Sequence, residues 1–296
     1  MTLSKSLRVA FQMDPIETVD IRGDTSFALA LEAQARGASL FEYGPQHLVY
    51  DQGRVMAQAR PMRLQAKQGD HVQFEPRRLI DLAEDVDVVW MRQDPPFDMA
   101  YITAAHLLER LKGQTLVAND PQWVRSCPEK IVPLDYAHLM PPTMIARNKA
   151  AIDGFRAEHG TVIIKPLYGN GGAGIFKIQS GDSNYSSLLE TFFAMSREPV
   201  MVQAFIPEVS AGDKRIIIID GELAGGFNRV PQKGETRSNM HVGGAAQPVD
   251  LTPKDIAIAA ELGPMLRERG QILVGIDVIA GRLTEINLTS PTGVHE

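Results

Sequence analysis

"ILVGIDVIAGRLTEINL", residues 272–288, has the pattern of an antiparallel hairpin whose mostly apolar strands carry a few polar side chains. Asp277 interrupts the first strand, and Glu285 and Asn287 lie two residues apart on the second, where Thr284, Ile286 and Leu288 could pack against a core. A three-residue loop at 280–282 would place Asp277 opposite Glu285 on one face of the pair.

Two facing carboxylates repel unless a cation lies between them, and all-oxygen ligation suits Mg²⁺ rather than zinc. The hairpin therefore predicts a divalent-cation site formed by Asp277, Glu285 and their neighbours. The alternative is a solvated polar edge strand, and a carboxylate within an apolar strand argues against it.

Composition limits the classes of protein that fit. A chain of 296 residues with 44% hydrophobic and 22% charged residues is typical of a soluble globular protein with two or three domains. The start lacks a long apolar segment, and the longest aliphatic run, 216–219, is too short to cross a bilayer, so we expect a cytoplasmic protein. A single cysteine, Cys127, rules out an internal disulfide. The net charge of −6 argues against a general nucleic-acid binder, so local Lys and Arg clusters must hold any anionic substrate.

The hydrophobic periodicity predicts an N-terminal α/β domain over residues 1–122. Strand, helix and strand patterns alternate at 7–13, 24–37 and 38–44, with Asp24 or Thr25 as the helix N-cap. The domain continues with further segments of both kinds, namely a hairpin at "YDQGRV" (50–55), a buried strand at 86–92, a helix at 97–113 and a strand at 115–120.

A different pattern follows, and we divide it into domains at 123–206 and 207–296. The first has strand, helix and strand over 141–166, and then a glycine-rich hairpin, "LYGNGGAGIFKI" (167–178). The second has two apolar strands around the turn pair Asp220-Gly221, and a capped helix over 252–270.

The glycine-rich hairpin is a candidate phosphate-binding loop. It follows Lys165 and contains Gly169, Gly171, Gly172 and Gly174. Glycines let consecutive backbone amides converge on anionic oxygens, although the spacing is neither a Walker A motif nor a Rossmann fingerprint. A flexible hairpin tip is the alternative, and the adjacent lysine favours phosphate.

Positive charge elsewhere comes from Arg215, Arg229 and Arg237, although each alone is more often a surface charge. The polar, glycine-rich composition of 228–245 predicts a mobile lid, in which we interpret His241 as an ordinary loop residue. Lys130 could contact phosphate or face solvent.

Several of these motifs together resemble the prokaryotic-type glutathione synthetases of the ATP-grasp superfamily. The resemblance covers nearly the whole chain, and its motifs are "FQMDPIETVDIRGDTSFALALEAQARG" (11–37), "MRQDPPFD" (91–98), "KPLYGNGGAGIFKI" (165–178), "DKRIIIIDGE" (213–222), "RVPQKGETRSN" (229–239) and "DVIAGRLTEINLTSPT" (277–292). The first two are the more specific, since other ATP-grasp enzymes share the nucleotide and metal elements.

The resemblance implies an α+β ATP-grasp fold, in which an N-terminal α/β domain precedes a two-part domain that holds ATP between two sheets. It also implies ATP-dependent joining of γ-glutamylcysteine and glycine, with ADP and phosphate as products. In this family the dipeptide carboxylate attacks the γ-phosphate, and the glycine amine then displaces phosphate from the acylphosphate. No enzyme nucleophile is needed, because alignment and charge neutralisation supply the catalysis.

The resemblance also implies roles for individual residues. Those expected to bind ATP are Lys130, Lys165, Gly169, Asn170, Gly171, Gly172, Gly174, Gln203, Ala204, Phe205, Ile206 and Asp213. Arg215 and Arg229 would be catalytic, and Arg92, Arg237, Asn239 and Ser290 would bind substrate. Asp277, Glu285 and Asn287 would hold Mg²⁺ or Mn²⁺.

The resemblance further implies a homo-oligomer, and it leaves alternatives open. "RSNMHVGG" (237–244) is also similar to the loop of ligases that add glutamate to a ribosomal protein, so another carboxylate–amine ligase fits the same ATP site. Family members usually continue beyond the position of Glu296 with a segment that packs on the central domain, and we expect its absence to weaken stability and substrate closure. A catalytically silent ATP-grasp-like binding protein is the non-enzymatic alternative.

Overall fold

Three β-sheets, formed by successive stretches of chain, make up the fold. The computed structural model describes residues 6–169, 171–232, 235, 237–238 and 243–295. The described strands are β1 (Arg8–Met13), β2 (Ser39–Tyr43), β3 (Leu48–Asp51), β4 (Arg54–Leu64), β5 (Val72–Phe74), β6 (Arg78–Asp81), β7 (Val88–Arg92), β8 (Leu116–Ala118), β9 (Thr143–Ala146), β10 (Val162–Pro166), β11 (Phe176–Ile178), β12 (Val200–Ala204), β13 (Asp213–Ile219), β14 (Glu222–Val230), β15 (Ala245–Pro248), β16 (Leu273–Ile279) and β17 (Arg282–Asn287). The described α-helices are α1 (Thr25–Ala35), α2 (Met99–Leu108), α3 (Pro121–Ser126), α4 (Lys149–His159), α5 (Tyr185–Met195) and α6 (Pro253–Glu268).

The N-terminal sheet has the order β3-β4-β2-β1-β7-β8, with β5 and β6 also paired to β4. Its centre is parallel, because β1 pairs in parallel with β2 and β7, and β7 with β8. Asp24 caps α1 by accepting a hydrogen bond from the amide of Phe27, and a turn at Gln52 and Gly53 links β3 to β4. The predicted α/β layer, its capped helix and its hairpin are all confirmed.

The second sheet is antiparallel, with the order β11-β10-β12-β9. Helices α4 and α5 pack on it through an apolar cluster that includes Ile152, Ile164 and Leu189. Its β10–β11 pair is the predicted glycine-rich hairpin, so Lys165 lies on β10 at the base of the glycine loop.

The third sheet has the order β15-β14-β13-β16-β17, and α6 packs across it. Thr252 and Asp255 form a reciprocal capping box at the start of α6, which confirms the predicted helix. The β13–β14 turn uses positive φ at Asp220 (48°) and Gly221 (76°), as the sequence predicted. Helix α6 spans 16 residues, and no described helix is long and apolar enough to cross a membrane.

The β16–β17 hairpin differs in detail from its prediction. Asp277 does lie opposite Glu285, but Ile279 pairs with Arg282, so the turn is Ala280-Gly281 and has two residues rather than three. A β-bulge then brings Asp277 opposite Glu285. Val278 pairs with Leu283 and Asp277 pairs with Glu285, so β17 has one extra residue between these two pairs. That extra residue is Thr284, which therefore lines the central cavity instead of packing with the apolar core as we expected.

The predicted lid at 228–245 is wrong at its two ends. Residues 228–230 complete β14 and residue 245 begins β15, so both ends are held in the third sheet. Between them, residues 233–234, 236 and 239–242 lie outside the described part of the chain, and they include His241.

Two helical glycines provide opposite tests of the packing. A methyl group on Gly263 of α6 would collide with the backbone carbonyl of Gly221, whereas one on exposed Gly154 of α4 would meet open space. We expect Gly263→Ala to destabilise the fold by about 1–3 kcal/mol through overpacking, and Gly154→Ala to stabilise it by about 0.5–1 kcal/mol through helix propensity. Urea unfolding of both variants measures the signs, and equal shifts would contradict this packing of α6.

Candidate active site

A cavity of about 600 Å³ lies where the three sheets meet. The expected cleft between the second and third sheets is thereby confirmed, and residues of the N-terminal domain close one end of it. Most of the residues with predicted roles line it: Arg92, Lys130, Lys165, Gly169, Gly171, Gly172, Gln203, Ala204, Phe205, Ile206, Asp213, Arg215, Arg229, Arg237, Asp277, Glu285, Asn287 and Ser290. Gly174 is in the same loop but is not among the lining residues, and Asn170 and Asn239 lie outside the described residues.

Two lysines meet Glu285 across the cavity. Lys165 on β10 donates to Glu285 Oε1 over 3.2 Å, and Lys130 Nζ lies 3.7 Å from the same oxygen. Burial lowers the pKa of Lys165, although Glu285 opposes that shift. For Glu285 burial acts to raise the pKa, but the two lysines outweigh it and the pKa ends below its usual value. These three charged groups form a buried cluster that joins the second and third sheets.

A second group of buried charges lies within the third sheet. The register places Arg215 opposite both Asp277 on β16 and Phe227 on β14, and places Asp213 opposite Arg229. Arg215 Nε donates to Asp277 Oδ1 over 2.6 Å, and Arg229 Nη2 lies 3.0 Å from Asp277 Oδ2. Arg229 also pairs with Asp213, over 2.5 Å. The charges alternate in sign along the series Asp213, Arg229, Asp277 and Arg215.

The two carboxyl groups of this series titrate differently. For Asp277 burial acts to raise the pKa, but Arg215 and Arg229 outweigh it and hold the pKa far below its ordinary range. Asp213 has a single close arginine, so burial, reinforced by the nearby Asp277 charge, raises its pKa to about 6. Asp277 is therefore firmly anionic, whereas the pKa of Asp213 lies above that of an ordinary aspartate because burial outweighs its ion pair with Arg229.

The glycine loop, residues 169–174, is held by two side chains, one at Gly169 and one at Gly172. The Lys130 ammonium donates to the carbonyl of Gly169, and Arg237 Nη1 donates to the carbonyl of Gly172 over 3.4 Å. Gly172 has φ +81°, a backbone conformation that glycine adopts without steric cost. On the outer side, the Tyr168 ring stacks on Phe97 of the N-terminal domain at 5.9 Å between ring centroids. The loop thus contacts all three parts of the chain.

Residues 203–206, which are expected to bind ATP, span the end of β12. Gln203 is buried and its Nε2 donates to Thr143 Oγ1 over 3.0 Å, while the amides of Ala204 and Phe205 donate to the carbonyls of Pro142 and Thr161. These contacts use two backbone donors, so hydrogen bonds to a bound base would come from other groups of the segment.

Two residues that position the site were missed by the sequence analysis. Asn119 bonds the backbone at both ends of the β16–β17 hairpin, at Leu273 and Leu288. Glu129 Oε1 accepts from Leu288 N and Thr289 N, and its carbonyl accepts from Ile286 N. Both residues fix the strand that carries Glu285. The available signal was weak, because Asn119 follows an apolar strand and Glu129 follows a short helix, and polar residues at both positions are equally typical of a helix cap or an exposed turn.

The residues expected to bind metal fit a hard cation in part. Asn287 Nδ2 donates to the Gly275 carbonyl, which leaves its side-chain oxygen as an acceptor beside Glu285. Both oxygens of Asp277, in contrast, are occupied by guanidinium groups. Among the described residues, no group of three or more His, Cys, Asp and Glu side chains converges. Glu285 and Asn287 supply oxygen donors of the kind Mg²⁺ prefers, and Asp277 could do so only by sharing with its arginines.

The buried charge series predicts a large stability effect. We expect Asp277→Asn to destabilise the fold by about 3 kcal/mol, because it leaves two buried arginines with one neighbouring carboxylate between them. Urea unfolding measures this. Asp70→Asn is the matched control, since Asp70 pairs with Lys67 at the surface and its loss should leave the midpoint unchanged. Equal midpoints for the two variants would contradict the expected importance of the series.

Comparison with known proteins identifies the family. Residues 7–125 match the family model of the prokaryotic glutathione synthetase N-terminal domain, and residues 129–296 match that of the prokaryotic glutathione synthetase ATP-grasp domain. The chain is 54% identical over 290 residues to a glutathione synthetase of Mesorhizobium japonicum, an alignment that covers 98% of this chain and 92% of that protein. A glutathione synthetase of Vibrio vulnificus is 42% identical over 292 residues, with 98% and 92% covered.

Solved structures agree on the fold. D-cycloserine synthetase DcsG superposes with a TM-score of 0.66 at 15% identity, with 96% of this chain and 92% of that chain covered. A RimK domain ATP-grasp protein from Sphaerobacter thermophilus gives 0.61 at 18% identity, with 95% and 91% covered. At such identities these two likenesses show the ATP-grasp fold alone. With both of its domains matched and with relatives at this identity over almost its full length, the chain belongs to the prokaryotic glutathione synthetase family.

Proposed function

We propose that this protein is an ATP-dependent ligase that joins γ-glutamylcysteine to glycine and releases ADP and phosphate. The observation that carries the proposal is the convergence of Lys165 from the second sheet, Glu285 from the third and Arg92 from the N-terminal domain on one cavity. The names of the relatives at 42–54% identity agree with this activity. They favour it over the other carboxylate–amine ligases, whose likeness to this chain is one of fold.

ATP would bind between the second and third sheets. Lys130 and Lys165 are buried cations that neutralise phosphate charge, and the glycine loop from Gly169 to Gly174 lies beside them. Gln203, Ala204, Phe205 and Ile206 form the wall proposed for adenine, and Asp213 completes the proposed nucleotide contacts. Mg²⁺ or Mn²⁺, held by Glu285 and Asn287 with Asp277 close by, would supply further neutralisation of the phosphates when bound.

The chemistry proceeds in two displacements. The dipeptide's cysteine carboxylate attacks the γ-phosphorus and ADP leaves, and then the glycine amine attacks the acylphosphate carbonyl and phosphate leaves. Arg215 and Arg229 are held in place by Asp277, so their positive charges are preorganised for the anionic species of both steps. Arg92, Arg237 and Ser290 are proposed to hold substrate carboxylates, as is Asn239.

Location and assembly remain expectations. A protein that uses ATP and a thiol dipeptide belongs in a reducing compartment, so we infer that it works in the cytoplasm. The expected homo-oligomer and the expected lack of nucleic-acid partners also remain predictions.

Omission of single substrates tests the proposed activity. ADP release should require γ-glutamylcysteine and glycine together, and mass spectrometry should detect glutathione as the product. ADP release with glutamate and a peptide acceptor, but not with this pair, would instead indicate a different ligase. An absence of turnover despite ATP binding would favour the catalytically silent alternative.

Glu285→Gln tests the charged cluster. The substitution keeps the shape of the side chain but removes the negative charge beside Lys130 and Lys165, and it replaces a metal-ligand oxygen with an amide group. We expect turnover to fall by about a hundredfold or more, with a reduced response to added magnesium. Steady-state kinetics over a magnesium titration measure the effect.

Glu222→Gln is the matched control for that variant. Glu222 lies on the same sheet but pairs with Arg267 on the exposed surface, so turnover should be unchanged. Thermal melts of both proteins separate loss of activity from loss of fold. Near-normal turnover of Glu285→Gln at every magnesium concentration would refute the metal role of Glu285.

A further inference from the structure

An aromatic contact crosses the boundary between the N-terminal domain and the second sheet, and none of the proposed roles uses it. Tyr168, the residue before the glycine loop, stacks on Phe97 with 5.9 Å between the ring centroids and 19° between the ring planes. Phe97 lies between the end of β7 and the start of α2, so it belongs to the other domain. Neither residue is among those that line the cavity, so the two rings lie outside the region proposed for the substrates.

Phe97 is held by the core of its own domain. Its ring centroid lies 5.3 Å from that of Tyr101, a residue of α2 that is fully buried, and Phe97 packs against the apolar cluster to which Tyr101 belongs. Pro95 and Pro96 precede Phe97 and restrict the backbone on that side. Asp98 follows it and caps α2 by accepting from the amide of Tyr101. Phe97 is therefore a fixed surface of the N-terminal domain.

Tyr168 is joined to the phosphate side of the cavity through the backbone. The next residue, Gly169, accepts a hydrogen bond from the Lys130 ammonium, and Lys130 Nζ lies 3.7 Å from Glu285 Oε1. A methyl group on Gly169 would lie 2.6 Å from the Pro166 ring, so the chain is closely packed on both sides of Tyr168. A displacement of the Tyr168 ring would consequently displace Gly169 and its contact with Lys130.

We propose that Tyr168 is a positioning residue, which holds the glycine loop over the phosphate site by stacking on Phe97. The loop belongs to the second sheet, but the N-terminal domain then sets its position. Arg92 ends β7 and Phe97 follows on the same short segment, so a substrate held by Arg92 and a nucleotide covered by the loop affect one another through the stacked rings.

This coupling is reciprocal, because a dipeptide that tightens nucleotide binding must itself be bound more tightly when the nucleotide is present. The part of the inference that concerns the dipeptide rests on the proposed function. The part that concerns the nucleotide requires only that the protein binds ATP.

A double-mutant cycle tests the contact. The probe is a non-hydrolysable ATP analogue with magnesium, titrated calorimetrically into the protein without dipeptide. Tyr168→Ala and Phe97→Leu should each weaken binding of the analogue by about three- to tenfold, the scale of one aromatic pair. The double variant should bind no more weakly than the weaker single variant, because both changes remove the same contact. Tyr168→Phe keeps the ring and should bind the analogue normally.

Phe176→Ala is the matched control. Phe176 lies on β11 and is 42% exposed, against 40% for Tyr168, and its ring packs edge-on against Phe192 of α5 at 5.8 Å. Its loss removes a ring contact that stays within one domain, so the affinity for the analogue should change less than about twofold. Equal weakening by Phe176→Ala and Tyr168→Ala, or additive losses in the cycle, would overturn the proposal.

Repeating the titrations with saturating γ-glutamylcysteine separates positioning from a merely structural role. In the wild-type protein the dipeptide should increase the affinity for the analogue, and Tyr168→Ala should reduce that increase by at least about twofold. Tyr168→Phe should restore it. A structural role would weaken the analogue equally with and without dipeptide, and an unchanged ratio of the two affinities in Tyr168→Ala would contradict the coupling.

The proposed function and the positioning role fail separately in this design. If the wild-type protein makes no glutathione but the losses in the cycle are not additive, the function fails and the role of Tyr168 stands. If it makes glutathione and the losses are additive, the function stands and the role of Tyr168 fails. Thermal melts of each variant confirm that the affinities compare folded proteins.

Discussion

Arg215 and Asp277 face each other on neighbouring strands with their charges buried, and the walls of the cavity are built around that pair. The pair is stable because Arg229 and Asp213 extend it into a series in which each arginine has a carboxylate partner. Removing any one member would leave an uncompensated charge in a desolvated sheet. The series therefore favours the observed register of β13, β14 and β16, because a shift in register would separate the arginines from their carboxylate partners.

The same constraint links stability to chemistry. Asp277 already restrains the two arginines before an anionic substrate binds, so they lose little further conformational freedom on binding. Their stabilisation of a transition state therefore requires little reorganisation. Glu285 connects this arrangement to the second sheet through its ion pair with Lys165. Asn119 and Glu129 hold β17, the strand that carries Glu285, by hydrogen bonds to the backbone at its end. The cavity thus contains many charges, with its fixed arginine–carboxylate pairs toward the third sheet and its excess of carboxylates toward the N-terminal domain.

The charges that line the cavity are unevenly distributed. The buried cations Lys130, Lys165, Arg215 and Arg229 lie toward the second and third sheets, whereas Asp14, Asp24 and Asp94 lie with Arg92 at the end formed by the N-terminal domain. A field that differs between the two ends can orient a charged substrate before any shape-specific contact forms. Orientation of this kind matters for a ligase without an enzyme nucleophile, since alignment provides most of the catalysis.

The sequence alone determined the α/β N-terminal domain, the glycine hairpin after Lys165, the Asp220-Gly221 turn and the capped helix α6, because each depends on local periodicity or turn chemistry. It also predicted that Asp277 lies opposite Glu285, but through a three-residue loop, where the structure has a two-residue turn and a bulge. Only the tertiary structure decided the bulge at Thr284, the two arginines on Asp277, the positioning contacts of Asn119 and Glu129, and the position of Asp14, Asp24 and Asp94 in the same cavity as Arg92. These features join residues that are up to 169 positions apart, as in the bond from Asn119 to Leu288. A local pattern carries no information about such partners, since the burial that makes their charges matter exists only once the three sheets have packed together.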